Sequence, residues 1–323
     1  MSRILIMLLC LSLAASPALA GDFIGLGDRR VSAVVRKAAE EFKKKHPDTC
    51  IICSGQGNFV RLMASGDIQF GMTVDLEKRI NPEKMKKGNL VAVTVALKGF
   101  CPVVNTKNTL TKITKKQVQD ICTGKVTNWK DLGGSDAAIS MGFPHRHDIH
   151  HRYGFIKRHF DLEAKSDNKK TFFKVKGDPD FSKVGAKIVN DKNAMLALVE
   201  NNPNCIVFLP VVFARSKVKE GVPIQLLELD GVAPTWENLV SGTYPLRQSF
   251  QIVTKGQPQD GLKAFIDYLL SPEGQNIIKA NGLTPVSKVS EKKAEEDKKD
   301  MKKDEEKKKD VKETKDNRKT DDT

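Results

Sequence analysis

The chain has 323 residues, of which 39% are hydrophobic and 29% charged, and it carries a formal charge of +14. That length accommodates two domains with real cores, and the composition excludes a membrane-embedded protein. The basic excess suits either an anionic partner or plain solubility; nucleic-acid binding has no motif or aromatic platform behind it.

Residues 1–20 hold the long apolar run: Arg3 is a basic start, Ile4 to Leu13 the apolar middle, and Ala18-Leu19-Ala20 a small-residue cleavage site before Gly21. This is the pattern of a cleaved export signal, so the mature chain is expected in the periplasm. Cys10 follows Leu9 rather than a small residue, so no lipid anchor is read and no membrane attachment is expected. In RRVSAVVRKAAEEFKKKH, Val31, Val34, Val35, Ala38 and Phe42 share one helical face, and His46-Pro47 closes it. The strand CIIC comes next, then SGQGNFVRLMASGD as a glycine turn into a short helix, then IQFGMTVD as a strand ending at Asp75. This repeated strand, loop and helix is the grammar of an open α/β sheet, whose ligands sit beyond the strand ends.

VAVTVALKGFCPVVN reads as one long extended run, and ITKKQVQDICTGKVTNWKDLGG as a helix, a turn and a short segment. At residues 141–160 a buried strand gives way to a helix carrying Tyr153, Phe155, Ile156 and Phe160 at helical spacing. Four of the chain's six histidines, His145, His147, His150 and His151, fall between that strand and Arg152, and a fifth, His159, lies further along. Unpaired N–H groups make such a helix start a ready anion site. FFKVKGDPDFSKVG reads as irregular, DKNAMLALVENN as a helix, CIVFLP and IQLLELD as strands, PTWENLVSGTYPLRQ as a loop and SFQIVTKG as the last strand. Two helices split by Ser271-Pro272 follow. From Glu291 to Thr323 the chain is almost all Lys, Glu and Asp, 13 basic residues against 13 acidic, and such a tail is expected to be disordered.

After export five cysteines remain, an odd number that leaves at least one thiol unpaired within the chain. Cys50 and Cys53 stand three apart on a strand, hence on opposite faces, and are read as buried residues rather than a metal or redox pair.

ITKKQVQDICTGKVTNWKDLGG, NPNCIVFLP, DGVAPTWENLVSGTYPLRQSFQIVTKG and AFIDYLLSPEGQNIIKANGLTPV together resemble the phosphate-binding periplasmic proteins of ABC importers. The resemblance runs from about Gly25 to Val286. It implies an α/β, two-lobed class II periplasmic binding protein, each lobe a mixed sheet flanked by helices. One lobe would hold residues 21–99 with 250–290 and the other residues 100–249, with ligand closing them about two hinge strands. Phosphate or a related oxyanion would be the ligand, an ABC permease or a sensor the partner, and the protein a monomer without cofactor or catalysis.

The resemblance also shows where the ligand loops depart. The family holds phosphate with hydroxyl-bearing turns at helix starts. Here the first turn reads Gly27-Asp28-Arg29-Arg30, and the second Ser54-Gly55-Gln56-Gly57-Asn58. In the third, Arg146 matches the family's arginine, and after His147 and Asp148 the expected Ser-Gly-Thr is replaced by Ile149, His150, His151 and Arg152. Each charge-assisted donor lost from an oxyanion costs ~1.5–3 kcal/mol, and the arginines are the natural replacements. Asp75 reads as a ligand group or as an ion-pair partner of those arginines, and Asp28 and Asp148 as ligands or helix caps. Three alternatives stay open: a larger anion held through Gln56 and Asn58, a transition metal on His147 with His150 or His151, and a site repurposed for protein interaction. No P-loop, nucleophile elbow, zinc-protease pattern or dinucleotide fingerprint is present, so no enzyme is expected.

Overall fold

The computed structural model describes residues 21–55, 58–144, 152–167, 169–189 and 191–287. They form two compact units. The first holds the chain up to Val93 and Ile252–Leu269; the second holds Thr94–Gln251 and the chain from Leu270.

In the first unit, strand β1 (Gly21–Gly27) leads into helix α1 (Arg29–Lys45), β2 (Thr49–Ser54), α2 (Phe59–Ser65) and β3 (Phe70–Val74). A 3-10 turn at Leu76–Lys78 and helix α3 (Pro82–Lys87) follow. β1 lies between β2 and β3 and runs parallel to both, with Gly21 opposite Thr49 and Gly27 opposite Met72. Parallel neighbours need crossovers, which α1 and α2 supply. α1 buries Val31, Val34, Val35, Ala38 and Phe42, the face foreseen from the sequence. The Phe42 ring packs edge-on against Phe265 at 5.3 Å, and each such side chain contributes roughly 1.5–3 kcal/mol by leaving water. His46 ends the helix by donating its N–H to the Phe42 carbonyl, and Pro47 bars another turn. β1 escaped the sequence reading because GDFIGLG has three glycines and little alternation; pairing on both edges makes it a strand.

The unit boundary falls inside β4 (Leu90–Asn105). Then come β5 (Lys112–Ile113), α4 (Lys115–Thr123), a 3-10 turn at Trp129–Leu132, β6 (Ser140–Pro144) and α5 (Arg152–His159). β7 (Leu162–Ser166), β8 (Lys170–Val175), β9 (Gly185–Val189), α6 (Lys192–Asn201), β10 (Cys205–Pro210) and α7 (Val211–Lys219) continue it. β11 (Ile224–Leu226), β12 (Glu228–Leu229), α8 (Trp236–Ser241) and β13 (Arg247–Lys255) lead to the second boundary, within β13. The sheet of this unit runs β4-β10-β6-β9-β8-β7. β10 is antiparallel to β4 but parallel to β6, so the sheet is mixed.

Its core is built by aromatic residues whose polar tips reach backbone carbonyls. Buried Trp129 donates to Asn204 O at 3.1 Å, and buried Tyr244 to Phe100 O at 2.9 Å. FFKVKGDPDFSKVG is less irregular than expected: Phe172 to Val175 pair with β7, burying Phe173 beneath flanking lysines that hide the strand signal. PTWENLVSGTYPLRQ likewise holds α8, capped by Thr235, which accepts the Asn238 N–H at 3.2 Å.

Helices α9 (Asp260–Leu270) and α10 (Pro272–Ala280) meet at Ser271, which caps α10 through the Gly274 N–H, with Pro272 in the first turn. α10 groups with the second unit because Gln275 donates to Val95 O at 2.9 Å and accepts from Val286 N at 2.7 Å. Among the described residues no helix is long and apolar enough to cross a membrane.

Candidate functional site

β2, β1 and β3 are adjacent and parallel, so their carboxyl ends share one edge of the first unit. The turn after β1 carries Gly27, Asp28, Arg29 and Arg30, β2 ends at Ser54, and β3 runs into Asp75. Open α/β sheets place ligands at such an edge.

The turn after β1 is tight. Gly27 has φ +150°, and a Cβ there would lie 1.9 Å from the Met72 carbonyl oxygen. Asp28 N–H donates to that oxygen at 2.7 Å, pinning the helix entry against β3. A Cβ on Gly55 would come within 2.5 Å of Arg29 Cγ and 2.9 Å of its Cα, so the turns after β1 and β2 pack directly on each other. Asp75 is 7% exposed with φ +50°, a conformation that Asp tolerates better than most residues, and Lys78 Nζ approaches its carboxylate at 3.4 Å.

Asp28 is both cap and ion-pair centre. Its carboxylate accepts the Arg30 amide at 2.9 Å, Arg30 Nε at 2.9 Å and Arg30 Nη2 at 2.6 Å, while Arg79 Nη2 stands 3.9 Å away. Burial pushes the carboxyl pKa up, but the Arg30 hydrogen bonds and charge, with Arg79 behind them, hold it below the usual carboxylate value. Asp28 is therefore an anion at neutral pH, held at the positive end of α1. The stretches 27–30 and 75–79 carry four cations (Arg29, Arg30, Lys78 and Arg79) against three carboxylates (Asp28, Asp75 and Glu77), which leaves them net positive by one.

Ser54 is half-buried at the last position of β2, and Asn58 is exposed at the N-cap of α2, where its side chain makes no capping bond. Gly27, Asp28, Arg29, Arg30, Ser54, Asn58 and Asp75 are thus gathered on one edge. Gln56, Gly57, Arg146, His147, Asp148, His150 and His151 lie outside the described residues, and Arg152 is the first residue of α5. Among the described residues no group of three or more His, Cys, Asp or Glu could hold a metal, and the histidines of the metal alternative fall outside them.

Two residues at this edge went unnoticed in the sequence. Arg79 reaches Asp28 from the 3-10 turn, a cation four positions after a strand-end aspartate being its only signal. Thr73 is buried on β3, and its hydroxyl has no partner among the described residues; nothing local to the sequence marks it. The five described cysteines are free thiols. Burial pushes Cys53 up to about 12 despite Arg36 nearby, and Cys205 up to about 11, so neither is a nucleophile at neutral pH.

This chain is 27% identical over 266 residues to the phosphate-binding protein PstS of Bacillus subtilis, covering 81% of this chain and 79% of that one. Its fold is similar to an ABC-type phosphate transport receptor from Vibrio cholerae, with 25% identity, a TM-score of 0.62, and coverage of 81% of this chain and 99% of that one. PstS from Borrelia burgdorferi, at 18% identity, shares the fold with a TM-score of 0.67, covering 83% of this chain and 99% of that one. The sequence profile of the PBP superfamily domain matches residues 13–273, four-fifths of the chain, and the chain belongs to that family.

Proposed function

We propose that this chain is a solute-binding protein that captures phosphate, or a closely related oxyanion, and delivers it to an ABC importer or a sensor. The observation that carries the reading is the edge where β2, β1 and β3 end together under a net positive group of side chains, in a chain whose relatives are named for phosphate. The protein binds and releases its ligand unchanged, acts as a monomer, and is exported with residues 1–20 as its leader.

The chemistry follows from what an oxyanion demands. Phosphate needs many donors, and the turns here supply arginines where the family resemblance implies hydroxyls. Arg146 is the principal charge partner by resemblance, and Arg29, Ser54 and Asn58 add donors from the strand edge. Arg30 is already held by Asp28 through Nε and Nη2, so it contributes charge more than open donors. Asp75 serves as the acceptor for a protonated phosphate oxygen, which selects phosphate against sulfate, an anion with no proton to donate at neutral pH.

Calorimetric titration of the mature protein, stripped of endogenous ligand, tests this. One phosphate per chain should bind at micromolar affinity or tighter, about −8 kcal/mol or below, with sulfate silent. Arg146→Ala should weaken phosphate at least about tenfold. Absence of phosphate binding would overturn the proposal, and unchanged affinity in the variant would remove Arg146 from the site.

A further inference from the structure

The first unit contains a pocket of about 590 Å³ whose lining residues fall into two chemical groups. Met63 of α2, Ile80 and Leu90 are among its apolar residues, and Arg79, Lys84, Lys87 and Lys255 are its charged ones. Among the described residues no carboxylate lines it. The volume is in the range of small-molecule sites, roughly 300–1,000 Å³.

The four cations come from three pieces of chain. Lys84 and Lys87 stand three apart on α3 and so share a face, whereas Lys86 does not line the pocket. Asn89, at φ +49°, turns the chain from α3 into β4, and the Gly256 N–H donates to its carbonyl at 2.7 Å, which brings Lys255 alongside. Some exposed lysines elsewhere pair with carboxylates, Lys44 with Glu41 at 2.7 Å, Lys115 with Asp161 at 2.7 Å and Lys263 with Asp267 at 2.5 Å, whereas others, such as Lys43, Lys107 and Lys183, make no ion pair among the described residues. Lys84, Lys87 and Lys255 make no ion pair among the described residues. Favourable charge at a helix C-terminus accounts for Lys87 but not for Lys255 at a strand end, nor for Arg79 ahead of the helix.

Three lysines without ion pairs among the described residues line one pocket with an apolar wall, while Arg79 already reaches Asp28, and such a lining suits an anion that also has a body to bury. We propose that this pocket is a second ligand site, separate from phosphate capture, which takes a small amphipathic anion: an aromatic or short aliphatic body bearing a sulfonate, carboxylate or phosphoester head. The body lies against Met63, Ile80 and Leu90, and the head meets Lys84, Lys87 and Lys255.

Anilinonaphthalene sulfonate, whose fluorescence rises in apolar surroundings, is the probe. With the full mature chain it should bind saturably at one dye per chain. Lys84→Gln with Lys87→Gln should weaken it at least about tenfold, through loss of two charge-assisted contacts. Ala64→Trp, at an exposed α2 residue lining the pocket, should block the dye by filling the space. Both variants should keep the wild-type melting temperature and wild-type phosphate titration. Dye affinity unchanged in either variant, or no saturable binding to the wild type, overturns the proposal. The variants decide the matter whether or not phosphate binds, so failure here and failure of phosphate capture are separate results.

Discussion

The core of the second unit and the strand edge of the first differ in where their polar side chains end. In the second unit Trp129 finishes on the backbone carbonyl of Asn204, Tyr244 on Phe100, Trp236 on Pro285 and Asn105 on Glu200, although the buried Asn276 Oδ1 and Thr284 hydroxyl have no partner among the described residues. Along the strand edge, Asn58 caps nothing, the Thr73 hydroxyl is unmet among the described residues, and one carboxylate gathers two arginines. Polar groups that close on the protein's own backbone serve the fold. Polar groups left open where strands end remain available to a ligand.

Breaking the closed region should cost most. Trp129→Ala removes a fully buried ring and its hydrogen bond, and it should lower stability by about 3–5 kcal/mol, seen as a large drop in melting temperature. A loss below 1 kcal/mol would mean that the core does not depend on this anchor. At the open edge the backbone itself is the sensitive part: Gly27→Ala drives a methyl group into the Met72 carbonyl and should cost about 1–3 kcal/mol while displacing the entry to α1. Denaturant unfolding measures the first effect and phosphate titration the second.

The smallest effect sharpens the contrast most, because it depends on pH. The Asp28 carboxyl has a lower pKa in the folded chain than in the unfolded one, so its charge contributes stability that is complete above the unfolded value of about 3.9. That contribution is lost as pH falls through the folded value. Asp28→Asn retains a capping oxygen but discards the charge, so it should cost about 1 kcal/mol at pH 7. The gap between the two proteins should close in acid. A gap independent of pH would show that Arg30 and Arg79 do not hold Asp28 electrostatically.

The parts legible in the sequence were those that repeat a local signal. The apolar face of α1, the Ser271-Pro272 break between α9 and α10, and the strand CIIC each advertise themselves through spacing or a capping residue. β1 did not, since its glycines are explained only by partners distant in sequence: Phe70 lies over Gly25, and Met72 over Gly27. The hairpin of β7 and β8 was hidden by lysines that decorate a strand whose buried positions are Thr171 and Phe173. At the strand edge, Ser54, Asn58 and Asp75 could be read as candidates because they follow strand signals, whereas Gly27 to Arg30 were reached only through the family resemblance. Arg79 and Thr73 could not, because what places them is the pairing of β1 with β3 and the fold of the 3-10 turn, neither of which is written locally.

The contact of Gly55 with Arg29 bears on how this protein could change. A side chain at 55 would meet not only the stem of Arg29 but its Cα, at 2.9 Å, so shortening residue 29 removes the Cγ contact and leaves the backbone one. Position 29 can therefore lose atoms while 55 stays glycine, whereas any Cβ at 55 requires the turn after β1 to move. A library that randomises both turns together should keep glycine at 55 even where residue 29 is small.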